Sequence, residues 1–399
     1  MIIELELPAS LSESQRENVQ ATIVFVDERI RSAEVVAPDV LRVVVDEEVA
    51  AAAEAELRER LERFVDARRP MRDRDLTQVR FDQSDVKAVD RGDVFTALVE
   101  RGDVKLLSPG VVALSGRMLQ MFRTLDARLR RFADEQGAED LLLPITTSLD
   151  MLDRSGFFDR TPQFARLMTS VRPGEESLRA FVSEVGLEGH AHGTASTAHL
   201  EAPHSMCRSA ICLSSYPLFE GQVLPPSSFR TVTVFGKAFR NEASNVRTLE
   251  RLHEFSMREL VYFGDRDYVT EGITRALQWF EAFMERFGLE GNIQTANDPF
   301  FSEQLAALQF YQLSEQSKFE VRWRNPHSGN QVSVGSVNNH GAHFAKAFDI
   351  RLEGGEFATT GCVGFGYERL IFLFLSQFGL DESQWSEDAR SFWFGDGAP

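Results

Sequence analysis

The chain has 399 residues and a mass of 45.0 kDa, with 43% hydrophobic and 26% charged side chains, which excludes a disordered or fibrous protein and leaves room for two domains. No run reaches the roughly 18 apolar residues of a membrane helix, the start MIIELELPAS is acidic where a signal peptide is basic, and three cysteines are too few for a disulfide framework, so a soluble cytoplasmic protein is expected. Forty-three Lys and Arg against 61 Asp and Glu leave a formal net charge of -18, which weighs against tRNA as the main partner and requires any phosphate chemistry to rest on a few placed arginines.

Residues 1–69 predict strand, helix, strand, helix. IIELEL alternates; residues 12–30 read as one helix opened by a capping box of Ser14 and Glu17; VLRVVV is β-branched; residues 47–69 are rich in Ala, Leu and Glu. Arg68–Asp75, broken by Pro70, reads as a linker. Residues 1–75 carry 11 basic and 18 acidic side chains, a balance of -7, so this small α/β module suits a protein-binding or structural role better than an RNA clamp.

The second domain is expected over residues 90–399. Met118, Phe122, Leu125, Leu129 and Phe132 mark one apolar helical face, which Gly137 ends. DLLLPITTSL follows as a strand whose Pro144 suits an edge or interface. Residues 183–210 are looser, and their histidines (His190, His192, His199, His204) are spaced like a solvated loop rather than a metal cluster. No GxxxxGKS/T or GxGxxG occurs, so a nucleotide site must be built another way.

Two segments carry the chemistry. Residues 231–240 and 251–263 form β-prone runs around a polar stretch, predicting an antiparallel hairpin with a long loop. On the returning strand His253, Phe255, Met257, Glu259 and Val261 share a face; Phe255 and Glu259 are four residues apart, roughly 13 Å at about 3.3 Å per residue. That span suits a base at one end and a small acyl group at the other, with Arg240 on a phosphate between; the competing reading is a half-exposed hairpin with solvated charges. Near the C-terminus a strand over 357–365 runs through Gly364-Phe365-Gly366 into a helix starting near Tyr367, with Leu370, Ile371, Leu373 and Phe374 as its buried stripe. Arg369 falls in the first turn, a costly place for a guanidinium without an anionic partner.

Phe239-Arg240-Asn241-Glu242, Arg251-Leu-His-Glu-Phe255 and Gly364-Phe-Gly-Tyr-Glu-Arg369 resemble the second and third signature motifs of class II aminoacyl-tRNA synthetases. The helix 118–132 with its proline-bearing strand resembles the first, dimer-forming motif, and the resemblance spans about residues 105–395. It implies an α+β fold with an antiparallel sheet flanked by helices, a homodimer, and ATP-dependent activation of a carboxylate as an acyl-adenylate with Mg2+. In it Arg240 would hold the α-phosphate and the attacking carboxylate, Glu242 the adenine amino group, Phe255 the adenine face and Arg369 the γ-phosphate.

Cys212, Glu259 and Cys362 would make a three-ligand zinc site with one position open, although buried inert thiols are the commoner use of lone cysteines. The arrangement is similar to zinc-dependent seryl-tRNA synthetases and, more closely, to amino acid:[carrier protein] ligases, in which zinc holds the amino group. Asn297-Asp298-Pro299-Phe300-Phe301, Lys318-Phe319-Glu320 and Ser336-Val-Asn338-Asn-His340-Gly-Ala-His343-Phe344 match that branch, which implies Glu320, Ser336 and Asn338 as substrate-binding residues. Lys318 stands where ordinary bacterial seryl enzymes carry an acid. Cys207 is a rival first ligand, but Cys212 keeps the expected distance to Tyr216-Pro217. The expected substrate is therefore a small amino acid (glycine, alanine or serine), and the expected acceptor a carrier protein's phosphopantetheine thiol, with tRNA as the alternative. Residues 1–75 depart from the pattern, because those ligases lack such a module and ordinary seryl enzymes carry a long coiled coil instead.

Overall fold

The computed structural model describes residues 1–11, 13–46, 51–68, 77–186, 197–299, 301 and 312–395. Most of the expected linker including Pro70, as well as His190, His192, Phe300 and the side chain of Ser14, lies outside the described residues. The fold is α+β. Its centre is an eight-stranded sheet in the order Val79–Asp82, Gly291–Thr295, Lys318–Arg324, Gln331–Gly341, Thr359–Gly366, Glu254–Gly264, Arg230–Phe239, Glu139–Leu141. Every neighbour pair is antiparallel except the last, where Glu139–Leu141 runs parallel to Arg230–Phe239.

Alternation along these strands separates two environments. One face buries Leu260, Tyr262, Val321, Trp323, Val337, Val363 and Phe365 against helices Gly116–Glu135, Arg266–Phe287 and Tyr367–Phe378. Met118, Leu125, Leu129 and Phe132 supply the first helix's contribution, with Phe122 partly buried beside them, as their spacing predicts. Gly137 follows this helix at φ 68°, a conformation that favours glycine. The opposite face carries the cavity described below.

The helical face is tied to the sheet through a buried arginine. Arg258, only 3% exposed, points to the helical side, the parity opposite to Glu259. Its Nε and Nη2 donate to Asp126 Oδ1 at 3.1 and 2.9 Å, and Nη1 donates to Asp140 (3.3 Å) and Thr233 (3.2 Å). Tyr367 Oη donates to the same Asp126 oxygen at 2.7 Å.

The DLLLPITTSL stretch is not one strand. Glu139–Leu141 forms the sheet edge, the chain breaks around Pro144, and Thr146–Ser148 joins a small sheet with Leu167–Met168 and Ser205–Cys207. The break has a use: the carbonyls of Leu143 and Pro144 accept from Arg208 Nη1.

Near the start, Ile2–Glu6, Val40–Val45 and Ile30–Ala37 form a three-stranded antiparallel sheet with Val40–Val45 in the middle, covered by helices Glu13–Ile23 and Ala51–Asp66 around their own apolar cluster. The expected helix over 12–30 is corrected here. It stops at Ile23, because Val24-Phe25-Val26 is poor helix sequence and Asp27 nucleates a turn, accepting from the Arg29 backbone and from the guanidiniums of Arg29 and Arg60. Ile30–Ala37 is then free to complete the sheet.

Asp126→Ala should destabilise the chain by roughly 2–4 kcal/mol, with Asp140 retaining part of the pairing. Chemical denaturation checks this, and wild-type stability would remove Arg258 as the tie between the sheet and its helices.

Candidate active site

Register places the expected residues in rows. Glu259 pairs with Gly364, Gly364 with Ser336 and Ser336 with Glu320, forming one row across four strands. Two residues along, and therefore on the same face, Val261, Cys362, Asn338 and Lys318 form the next. A Cβ on Gly364 would lie 2.7 Å from Met257 Cε, so a side chain there would have to displace the end of Met257.

These rows floor a cavity of about 1010 Å³, which also takes in Arg240, Glu242, Arg251, Phe255 and Arg369. All ten residues singled out from the sequence line this one space. His199 and His204 do not line it.

At the arginine-rich end, Arg240 lies just past its strand, with Nε donating to the Ser209 carbonyl at 3.1 Å and its guanidinium 5.2 and 5.3 Å from the ring centres of Phe164 and Phe255. Glu242 is 2% exposed and accepts from Arg251 Nη1 at 2.8 Å. Burial pushes its carboxyl up, but the charges of Arg251 and Arg240 outweigh this and hold it below the usual range. Arg369 occupies the first turn of Tyr367–Phe378 and donates to the Ser333 carbonyl. Burial and repulsion from Arg251 bring it down to about 10, so it remains charged at neutral pH. The preceding Glu368 fixes this turn to the hairpin, accepting from the Ser256 backbone and hydroxyl at 2.8 Å each.

At the other end, Cys212, Glu259 and Cys362 bring one donor atom each within 4.8 Å of one another, all three residues buried. Glu259 is already oriented, accepting from the backbone N–H of Ile211 (3.2 Å) and Cys212 (2.7 Å). Burial and the neighbouring Cys362 push it up to about 7. The Cys212 thiol, donating to Cys362 and deeply buried, is raised, while Cys362 is lowered by that bond and by His340. Three acid groups converging in a buried site form a donor set that fits a zinc ion, two soft sulfurs and one oxygen. Cys207 stands on the small sheet outside this group.

Sequence reasoning named the residues around these but not their contacts. Asn338 Nδ2 and His340 Nε2 approach Cys362 Sγ at 3.7 and 3.6 Å, and Tyr216 Oη lies 3.1 Å from His340 Nδ1. Lys318 is buried between Asp298 (2.6 Å) and Glu320 (3.2 Å), whose charges outweigh burial and raise its ammonium above the ordinary value. Period-two parity with Glu320 was the available signal for Lys318; nothing local marked His340.

Residues 221–378 match the family described as tRNA synthetase class II core domain (G, H, P, S and T). That stretch is thus similar to a class II synthetase core. It is 26% identical over 273 residues to the type-2 serine–tRNA ligase of Methanocaldococcus jannaschii, covering 66% of this chain and 52% of that protein. It is 29% identical over 256 residues to amino acid–[acyl-carrier-protein] ligase 1 of Bradyrhizobium diazoefficiens, covering 64% of this chain and 76% of that one. The chain thus spans about half the length of its type-2 serine–tRNA ligase relatives. The crystal structure of M. kandleri SerRS with A. aeolicus tRNASec shares the fold, with a TM-score of 0.66 at 21% identity over 100% of this chain and 78% of that one.

Glu242 has a folded pKa below its unfolded one, so its contribution to stability is present above the unfolded value and lost as pH falls through the folded one. Unfolding midpoints measured from roughly pH 6 down to pH 3 should therefore show Glu242→Gln destabilised at the upper end and converging on wild type at the lower. Parallel curves would contradict this.

Proposed function

We propose that the chain activates a small amino acid with ATP, forming an aminoacyl-adenylate, and passes the acyl group to the phosphopantetheine thiol of a carrier protein. The observation that carries this reading is the convergence of Arg240, Glu242, Phe255 and Arg369 with Cys212, Glu259 and Cys362 on one sheet face around one cavity. The catalytic unit is assigned to residues 90–399, working as a homodimer, and the acidic unit to residues 1–75.

In this reading Phe255 stacks on adenine, Glu242 accepts from its amino group, and Arg240 and Arg369 bracket the triphosphate, which arrives with Mg2+. Zinc bound by Cys212, Glu259 and Cys362 would supply a Lewis acid for the substrate's α-amine. Asn338, Ser336 and Glu320 line the space beside it and limit the side chain that fits. Arg240 then holds the carboxylate against the α-phosphorus; a carboxylate oxygen forms the new P–O bond as the bond to pyrophosphate breaks. In the second half-reaction a thiolate attacks the acyl carbon and AMP leaves.

The carrier is favoured as acceptor by the net charge of -18, by the acidic first module, and by the larger share of the carrier-protein ligases that the chain covers, 76% and 81%. Transfer to a tRNA hydroxyl is the second reading, favoured by the likeness to type-2 serine–tRNA ligases. Charging assays with tRNA and with phosphopantetheinylated carrier protein separate the two.

Arg240→Ala should lower amino-acid-dependent ATP–pyrophosphate exchange by roughly 100-fold or more; retained exchange would reject the site. Cys362→Ser should reduce zinc content well below that of the wild type, read by metal analysis on folded protein, and undiminished zinc would reject the ligand set.

A further inference from the structure

The module formed by residues 1–66 has no part in the chemistry above, yet its helix Glu13–Ile23 and the turn after it line the cavity through Glu17, Asn18, Gln20, Ala21, Thr22 and Phe25. It touches several separate parts of the cavity rim. On the floor, Glu17 pairs with Arg322, a guanidinium 2% exposed on the same strand and face as Glu320. On the hairpin loop, Asn245 Nδ2 donates to the Ala21 carbonyl at 2.7 Å, and Ala243 packs against the module's apolar cluster. On the segment before the third floor strand, Asn18 Nδ2 donates to the Asn297 carbonyl at 3.4 Å, and Phe64 lies 6.0 Å from Phe301. A group that only hung from the domain would not bridge the loop that follows Arg240 to the segment that precedes Lys318.

We propose that this module is a water-excluding wall of the activation site, which retains the acyl-adenylate until the acceptor arrives, with Glu17 as the positioning residue that seats it on Arg322. The inference rests on the adenylation reading above. An adenylate is a mixed anhydride exposed to a simple side reaction. A water oxygen bonds to the acyl carbon, the C–O bond to the phosphate breaks, AMP leaves with the electron pair, and a proton passes to solvent. An enzyme whose acceptor is a separate macromolecule holds this intermediate between two encounters, so shutting water out has direct value. The wall is acidic, with 11 basic against 18 acidic side chains over residues 1–75, so it does not attract a polyanionic acceptor. Arg322 would be left buried without its carboxylate if Glu17 were neutralised, which weakens the seat at its least tolerant point.

The test uses the full chain and two variants, Glu17→Gln with Asn18→Ala, and the same pair with Phe64→Asp. Hydrogen exchange of helix Glu13–Ile23 reports whether the wall is seated. ATP–pyrophosphate exchange reports activation, and AMP formation with amino acid but no acceptor reports leakage. The expected result is faster exchange in that helix and AMP formation raised at least about fivefold, with ATP–pyrophosphate exchange within about twofold of wild type. Unchanged AMP formation in a variant whose helix exchanges faster would overturn the proposal, as would an unaltered helix in the triple variant. A wild-type chain that catalyses no ATP–pyrophosphate exchange with any standard amino acid would reject the adenylation reading instead, a failure visible before any variant is made.

Discussion

One buried guanidinium holds the architecture to its site. Arg258 has no contact with the cavity, yet it joins the helix Gly116–Glu135 through Asp126, the edge strand through Asp140 and the hairpin through Thr233. Tyr367, at the start of the helix that carries Arg369, closes on the same aspartate. A charge taken out of water must keep its partners, so the elements cannot slide past one another without breaking this node. The two arginines of the site, one on the hairpin and one on the last long helix, are thereby held in a fixed relation by a residue facing away from both.

The sheet converts that fixed frame into chemistry through register alone. Antiparallel pairing brings Glu259, Gly364, Ser336 and Glu320 into line from distant points in the sequence, with Cys362, Asn338 and Lys318 one step away. The metal donors depend on a further element, because Cys212 reaches Glu259 only where the chain enters the turn Cys212–Phe219 and its own N–H bonds the carboxylate. The cavity therefore holds its charges in two groups, arginines near Phe255 and acids near Cys212.

Much of this was legible before any coordinates. Alternation alone put Phe255, Met257 and Glu259 on one face, and a lone arginine at an apolar helix start marked Arg369. The class II resemblance then gave each a partner, and the ten named residues meet. What escaped has a common cause. Arg258 lies on the opposite parity, where its meaning depends on an aspartate on a distant helix. His340 matters only through its approach to Cys362 and Tyr216. Glu17 read as a capping residue, and its pairing with Arg322 is separated from it by 305 residues. The strand Ile30–Ala37 went unread because the helix was carried on to Ile30 and the short mixed run after it has no clear local pattern, so only the neighbouring strand defines it.

The missing side chain at Gly364 bears on how such a site can change over time. Met257 reaches over that bare backbone, and a thioether with three rotatable bonds can fill more or less of the space without disturbing the strand beneath. The space at this end of the cavity can thus be enlarged or reduced by exchange of that one flexible wall residue, while the strands beneath keep their pairing.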